Sequence, residues 1–428
     1  MLVFKFGGAS VKDASAVKNV GEVMKLYSNE EIVVVVSAMG KMTNALEKLA
    51  GAYFYKKGNP QSTLKEIKDY HIEILNELFT DEKHSIYDDV NNILVELEWI
   101  IEDKPIKDYD FEYDQIVSMG EMISTKIVSA WLIKNDICNI WVDCRDFIKT
   151  DNTYREAKLN WEDTEACVNK VVAPLVEKGK RGIVVTQGFV GVTSENFNTT
   201  LGREGSDYSA AIIGSILKAE TVTIWKDVAG VLNADPKWFK ETEKLDALSY
   251  HDAIELSFFG ATIIHPKTLK PLQNRGIPLY VKSFYNPKEE GTLITSTKEL
   301  PADVEEKPSF IFKVDQILIS ILPKDYSFIV EENLSDIFRI FANFSVKINL
   351  IQHAALSFSV CVDGDRRKLP LLIKELQKDY KVLYNEDVEL VTIRNYNQDT
   401  IDRVIQKKKI FVEQKSRQTA RFVVKNVD

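Results

Sequence analysis

The chain has 428 residues, of which 45% are hydrophobic and 28% charged, and it carries a net charge of −9. That length exceeds one ordinary core and predicts two or three domains, and the acidic balance argues against general affinity for nucleic acid or an anionic membrane surface. A negatively charged substrate would need locally placed Lys and Arg.

The first predicted element is a short apolar strand that runs through Val3-Phe4-Lys5-Phe6 into Gly7-Gly8-Ala9-Ser10. Backbone without side chains lets N–H groups approach a phosphate, and the helix pattern opening at Asp13 presents a further anion-binding terminus. Lys5 would add a mobile positive charge beside that nest. Read alone, the stretch is equally a glycine turn with a solvated lysine. A second glycine-rich stretch, Thr199-Thr200-Leu201-Gly202-Arg203-Glu204-Gly205-Ser206-Asp207, favours the phosphate reading.

Ala16, Val17, Val20, Val23, Met24 and Tyr27 recur at helical spacing, with Asp13 as N-cap. Ile32 to Val36 is apolar on both faces, as in a central strand of a covered parallel sheet. The segment Ser37 to Asn44 then places Thr43 near that strand's carboxyl end, where open α/β sheets bind ligands. From Ala45 to Ile101 the pattern is helical, and His71 and His84 read as solvated or capping groups. Ser118-Met119-Gly120-Glu121 lies in or beside another helix, where the glutamate reads as a surface charge unless its turn faces the crevice.

Strand signals at 140–142, 183–186, 222–225 and 277–281 alternate with helix patterns, which predicts βαβ units and a mostly parallel, three-layer sheet domain over 1–295. Residues 296–308 read as a linker. Beyond it a βαββαβ order over 309–386 predicts a ferredoxin-like unit, followed over 387–428 by an incomplete second copy. Sheets of this kind pair edge to edge, so a homodimer or higher homo-oligomer through this region is expected.

Cys138, Cys144, Cys167 and Cys361 show neither paired nor metal-ligand spacing, which predicts free thiols and no protein-held metal. A strand begins within two residues of the N-terminus, and no apolar run approaches membrane-spanning length. A cytoplasmic protein with no membrane partner is therefore expected.

Walker A, GxGxxG and protein-kinase signatures are absent from the sequence. Phosphoryl transfer requires mainly charge neutralisation and alignment, which Lys5, Arg203 and glycine-rich backbone could supply with Asp207 orienting the lysine. At these residues the chain resembles the aspartate kinases of the amino-acid kinase superfamily. The matching segments are KFGGAS from Lys5, SAMGKMTN from Ser37, SMGE from Ser118, TQGFVG from Thr186 and TTLGREGSDYSAA from Thr199. WKDVAGVLNADPK from Trp225, FGATIIHP from Phe259, VKSF from Val281 and GTLI from Gly291 continue the series in family order. The tail matches the place of the family's ACT regulatory domains.

The resemblance implies phosphorylation of the side-chain carboxylate of L-aspartate by ATP with Mg2+, the entry to lysine, threonine and methionine synthesis. Lys5 would contact the transferring phosphoryl group and Asp207 would hold Lys5. Arg203 and Glu121 would grip the aspartate carboxylate and ammonium, with Thr43 and Ser206 as further substrate contacts. Phe6, Gly7, Gly8, Lys226, Asp227, Leu232, Lys237 and Thr262 fall on ATP-binding segments. A glutamate-type amino-acid kinase and a low-activity regulatory homologue are the alternatives.

Some positions depart from the family. Thr262 stands where many relatives carry a phosphate-directed lysine, a charge that Lys226 or Lys267 could replace. Ala9 replaces a threonine, and Leu232 an aromatic residue. In the tail, Asn349 and Ala355 replace two carboxylates that bind lysine in lysine-sensitive relatives. Each such hydrogen bond is worth roughly 1.5 to 3 kcal/mol, so weak or absent lysine inhibition is expected.

Overall fold

The computed structural model describes residues 1–427 except 82, 178, 180, 181, 240, 262, 263, 303–305 and 326. The chain forms two compact units. The first comprises Met1–Val231, Lys244–Ile254 and Ile264–Val304, and the second Leu232–Glu243, Glu255–Ile263 and Glu305–Asp428.

The first unit opens with β1 (Leu2–Phe6), α1 (Ala14–Lys25) and β2 (Ile32–Val36). Asp13 caps α1 by accepting a 2.8 Å hydrogen bond from the Ala16 N–H, which satisfies an otherwise orphaned donor. Helices α2 (Met42–Tyr55), α3 (Pro60–Leu78), α4 (Ile86–Glu102), α5 (Tyr109–Val117) and α6 (Met119–Lys134) follow. Next come β3 (Ile140–Trp141), α7 (Trp161–Val171), β4 (Ile183–Gln187), and the small antiparallel hairpin of β5 (Val190–Val192) and β6 (Asn198–Thr200). Then α8 (Gly205–Leu217), β7 (Thr221–Lys226), β8 (Ala247–Ser249), α9 (Tyr250–Phe259, assigned to the second unit from Glu255), α10 (Pro266–Arg275), β9 (Leu279–Ser283) and β10 (Thr292–Thr295) complete the series.

Eight strands form one sheet in the order β3-β4-β2-β1-β7-β9-β10-β8. Every pairing is parallel except that of β9 with β10. Val33, Val34, Val35 and Val36 of β2 are fully buried, as the two-faced apolar run requires. Because β1, β2, β4 and β7 run the same way, their carboxyl ends lie on one edge of the sheet. Those ends deliver Gly7-Gly8, Ser37-Ala38, Gly188 and Lys226 to that edge.

Two expectations for this unit change. His71 is fully buried rather than solvated; its Nδ1 lies 2.8 Å from the Ile67 carbonyl, and burial pushes its pKa down to about 4. Among the described residues one helical stretch, Tyr109–Lys134, is long and apolar enough by length and composition to cross a membrane. Its apolar window is 78% buried within the protein, the mark of a core helix.

In the second unit lie β11 (Ser309–Pro323), α11 (Glu331–Asn343), β12 (Ile348–Ala354), β13 (Ser357–Asp363), α12 (Leu369–Leu376) and β14 (Tyr380–Arg394). They are followed by α13 (Gln398–Ile405), β15 (Lys408–Lys415) and β16 (Thr419–Asn426). One antiparallel sheet runs β12-β13-β11-β14-β16-β15. Strand β14 runs unbroken from Tyr380 to Arg394, across the 386/387 division expected between the two copies. Half of β11 pairs with each half of β14, so both ACT-like copies share these long strands.

A polar knot sits among β11, β12 and β13. The Asn349 amide donates to Gln316 Oε1 and Asp363 Oδ1, both at 2.8 Å, and accepts from Lys313 Nζ at 2.9 Å. Both amide hydrogens and one acceptor site of Asn349 are thus directed within the sheet.

Candidate active site

A cleft of about 1020 Å³ opens at the carboxyl edge of the large sheet. Lys5, Gly8, Thr43, Glu121, Arg203, Ser206, Asp207 and Lys226 all line it. Eight residues singled out in five separate sequence segments therefore share one cavity.

Lys5 points from the end of β1, and its Nζ lies 2.6 Å from Asp207 Oδ1 in the first turn of α8. The two side chains are only 11% and 4% exposed, so the pair is weakly screened. Gly7 lies directly against the lysine: a Cβ there would stand 3.2 Å from Nζ. Gly8 is tighter still, because its Cβ would come within 2.6 Å of the Gly40 carbonyl oxygen, a backbone atom that cannot swing away. The Gly40 N–H in turn donates to the Gly8 carbonyl at 3.0 Å, locking the loops after β1 and β2 together.

Glu121 is in the first turn of α6 and 2% exposed, not a surface charge. Its Oε1 accepts from the Ala38 N–H at 3.1 Å, while Oε2 is buried with no hydrogen-bond partner. Burial pushes its carboxyl up to about 8, against the opposing pull of the Ala38 N–H and of the Lys5 charge. A buried acceptor without a donor is costly, and an incoming ammonium group would satisfy it.

Arg203 sits in the turn between β6 and α8, flanked by Gly202 at φ +73 and Glu204 at φ 53. The Glu204 carboxylate accepts from the His265 N–H at 2.7 Å, which fastens this turn to the start of α10. Ser206 follows in α8, where Gly188 permits the approach: a Cβ on Gly188 would fall 2.5 Å from Ser206 Cβ.

The other nominated residues lie elsewhere. The Phe6 ring is buried and stacked on Trp225 at 6.0 Å, so only its backbone could meet a ligand. Asp227 is exposed just past β7. Leu232 and Lys237 belong to the second unit, where Leu232 is half-buried and Lys237 exposed. Thr262 is outside the described residues. Lys267, one candidate to replace the missing lysine charge there, donates to the Leu201 carbonyl and lies over the Tyr208 ring at 5.5 Å. Lys226, the other candidate, lines the cleft together with Lys5.

Sequence reasoning did not single out Glu47, Asp110, Tyr113 and Arg155, which also line the cleft. The Arg155 guanidinium stacks on Tyr113 at 4.4 Å and reaches Asp110 at 3.4 Å and Glu47 at 3.6 Å. Its backbone is left-handed at φ 66, a conformation uncommon for arginine, but sequence alone carries no sign of it.

Comparison with known proteins places this geometry in context. Residues 1–283 match the amino acid kinase family. The chain is 28% identical to lysine-sensitive aspartokinase 3 of Escherichia coli, covering 92% of this chain and 86% of that protein. It is 31% identical to the chloroplastic aspartokinase 1 of Arabidopsis thaliana, covering 88% and 67%. The crystal structure of E. coli aspartokinase III in complex with aspartate and ADP superposes with a TM-score of 0.81 at 26% identity, covering 99% of this chain and 96% of that one.

Proposed function

Because the chain belongs to the amino acid kinase family, and within it to the aspartokinases, we propose that its cleft transfers the terminal phosphoryl group of ATP to the side-chain carboxylate of L-aspartate. The product is 4-phospho-L-aspartate, and the reaction opens the route to lysine, threonine and methionine. The observation that carries the reading is the Lys5–Asp207 pair at 2.6 Å in one cavity with Arg203 and Glu121.

Each residue has a distinct task. The Lys5 ammonium neutralises charge that grows on the phosphoryl oxygens during transfer, and Asp207 fixes its direction. Backbone N–H groups around Gly7 and Gly8 face the phosphates. Arg203 takes the α-carboxylate of the amino acid with its planar fork. Glu121 takes the α-ammonium through the oxygen that otherwise lacks a donor. Arrival of that ammonium favours the charged glutamate and draws its raised pKa down. Thr43 and Ser206 add hydrogen bonds around the same substrate, and Lys226 adds charge on the nucleotide side.

Magnesium enters with the nucleotide. Phosphate oxygens and water would supply most of its coordination, because Mg2+ sheds its water reluctantly and binds through substrate phosphates. The protein is assigned to the cytoplasm and to a homodimer or higher homo-oligomer built through the edges of the ACT-like sheet. Release of ADP from ATP and magnesium, compared across L-aspartate, L-glutamate and N-acetyl-L-glutamate, tests the reading. Aspartate should be preferred; preference for either other acid would overturn it.

A further inference from the structure

Two loops abut at the mouth of the cleft. One follows Thr150 and carries Arg155; the other follows Thr200 and carries Arg203. They touch backbone to backbone, since a Cβ on Gly202 would stand 3.2 Å from the Arg155 carbonyl oxygen. Each loop also holds a non-glycine residue in the left-handed region, Arg155 at φ 66 and Glu204 at φ 53. Such backbone persists only where surrounding contacts fix it.

Asp114 on α5 provides such a contact at Arg155 and holds the end of β6, Thr200, from which the Arg203 loop departs. It is fully buried, and its Oδ2 accepts from the Arg155 N–H and from the Thr200 N–H, each at 2.9 Å. Its Oδ1 accepts from the Thr200 hydroxyl at 2.7 Å. A single carboxylate therefore ties the backbone of the Arg155 loop to the strand end at which the Arg203 loop begins. Helix α5 needs nothing of this kind for its own start, which Asp108 caps.

We propose that Asp114 is a positioning residue: by holding the Arg155 and Arg203 loops in register, it sets the affinity of the cleft for its acidic amino-acid substrate. This rests on the aspartate reading above. The charged carboxylate is the stronger acceptor for both N–H groups, since charge-assisted bonds are roughly twice as strong as neutral ones. Burial pushes Asp114 up to about 7, opposed by the Thr200 and Arg155 hydrogen bonds and the Arg155 charge. The other titratable groups facing it are Tyr113 on its own helix and Tyr154 on the Arg155 loop. Burial raises both phenols further, so they stay neutral near that pH. Loop register is thereby coupled to proton uptake at Asp114.

The test compares wild type, Asp114→Asn and Asp114→Ala by KM for L-aspartate and kcat between about pH 6 and pH 8, with ADP affinity as a control for folding. Asn keeps an acceptor for both N–H groups but fixes the neutral state. Its KM should equal the wild-type value at the acid end, about fivefold above the wild-type value at the alkaline end, and lose that segment of pH dependence. Ala should raise KM about tenfold or more, with kcat within about threefold and ADP affinity unchanged. An Asn variant that keeps both the wild-type KM and its pH slope overturns the proposal. So does an Ala variant that melts earlier yet binds aspartate normally; if Ala does not fold, the Asn profile decides. Hydrogen exchange of peptides spanning 151–157 and 199–205 separates failure here from failure of the functional reading. In the variants both loops should exchange faster together, even if wild type phosphorylates no aspartate; exchange unchanged in both loops overturns the tie itself.

Discussion

The ammonium of Lys5, at the end of the first strand, and the carboxylate of Asp207, in the first turn of α8, meet at 2.6 Å on the floor of the large cleft. The chain brings them together because β1 and α8 pack against each other and the strand ends at the sheet's ligand-binding edge. Replacing Lys5 with Ala should lower kcat about a hundredfold or more, as for loss of a transition-state charge donor. Asp207→Asn should also lower kcat, because the lysine loses its fixed direction. A Lys5→Ala enzyme with unchanged turnover would remove Lys5 from the chemistry.

Arg203 is read as a ground-state anchor. Arg203→Ala should raise KM for aspartate about tenfold to a hundredfold while KM for ATP stays within about twofold. Steady-state kinetics with each substrate varied in turn checks the split.

Glu121 links function to stability. Its folded pKa of about 8 lies above the ordinary glutamate value, so the folded protein keeps a proton that the unfolded chain has released. Between those two values a rise in pH therefore favours unfolding, and above about pH 8 the full penalty is present. Glu121→Gln should raise the melting temperature by several degrees near pH 8.5, and the gain should vanish near pH 4. The same variant should bind aspartate poorly. Calorimetry across that range, paired with KM, measures both effects.

Gly8 has no room for a side chain, with the Gly40 carbonyl oxygen 2.6 Å from the position a Cβ would take. Gly8→Ala should push the loops after β1 and β2 apart and raise KM for ATP about tenfold or more. Retention of normal ATP affinity would mean that these loops do not cradle the nucleotide.

In the second unit, Asn349→Asp should fail to create lysine inhibition. The amide already donates to Gln316 and Asp363, and a carboxylate would face Asp363 at 2.8 Å. Repulsion there, relieved only in part by Lys313, should cost about 1 to 3 kcal/mol, readable as a lowered denaturation midpoint. Potent lysine inhibition of the variant would contradict this.

Much of this architecture is written in local patterns. Two-faced apolar runs mark the buried parallel strands, Asp13 marks a helix start, and the two glycine-rich segments mark where backbone must approach backbone. Elsewhere local pattern misleads. Polar residues at 313–316 and 385–388 interrupt the apolar pattern, yet β11 and β14 continue through them. Asp315 and Asp387 take left-handed backbone, at φ 52 and φ 56, and the register of the pair shifts there. His71 and Glu121 look like surface groups because polarity alone does not report what covers a residue. Asp114 has no sequence signature, since its two partner residues, Arg155 and Thr200, lie far along the chain and only the fold brings them near.

On the proposed reading, one cleft organised by Lys5 and Asp207 places phosphate on the side-chain carboxylate of L-aspartate. Hydroxylamine trapping of the product formed from ATP, magnesium and L-aspartate tests it most directly. The β-hydroxamate of aspartate should form in amounts equal to the ADP released and be lost in Lys5→Ala. ADP released without any hydroxamate, or hydroxamate formed undiminished by Lys5→Ala, would contradict it.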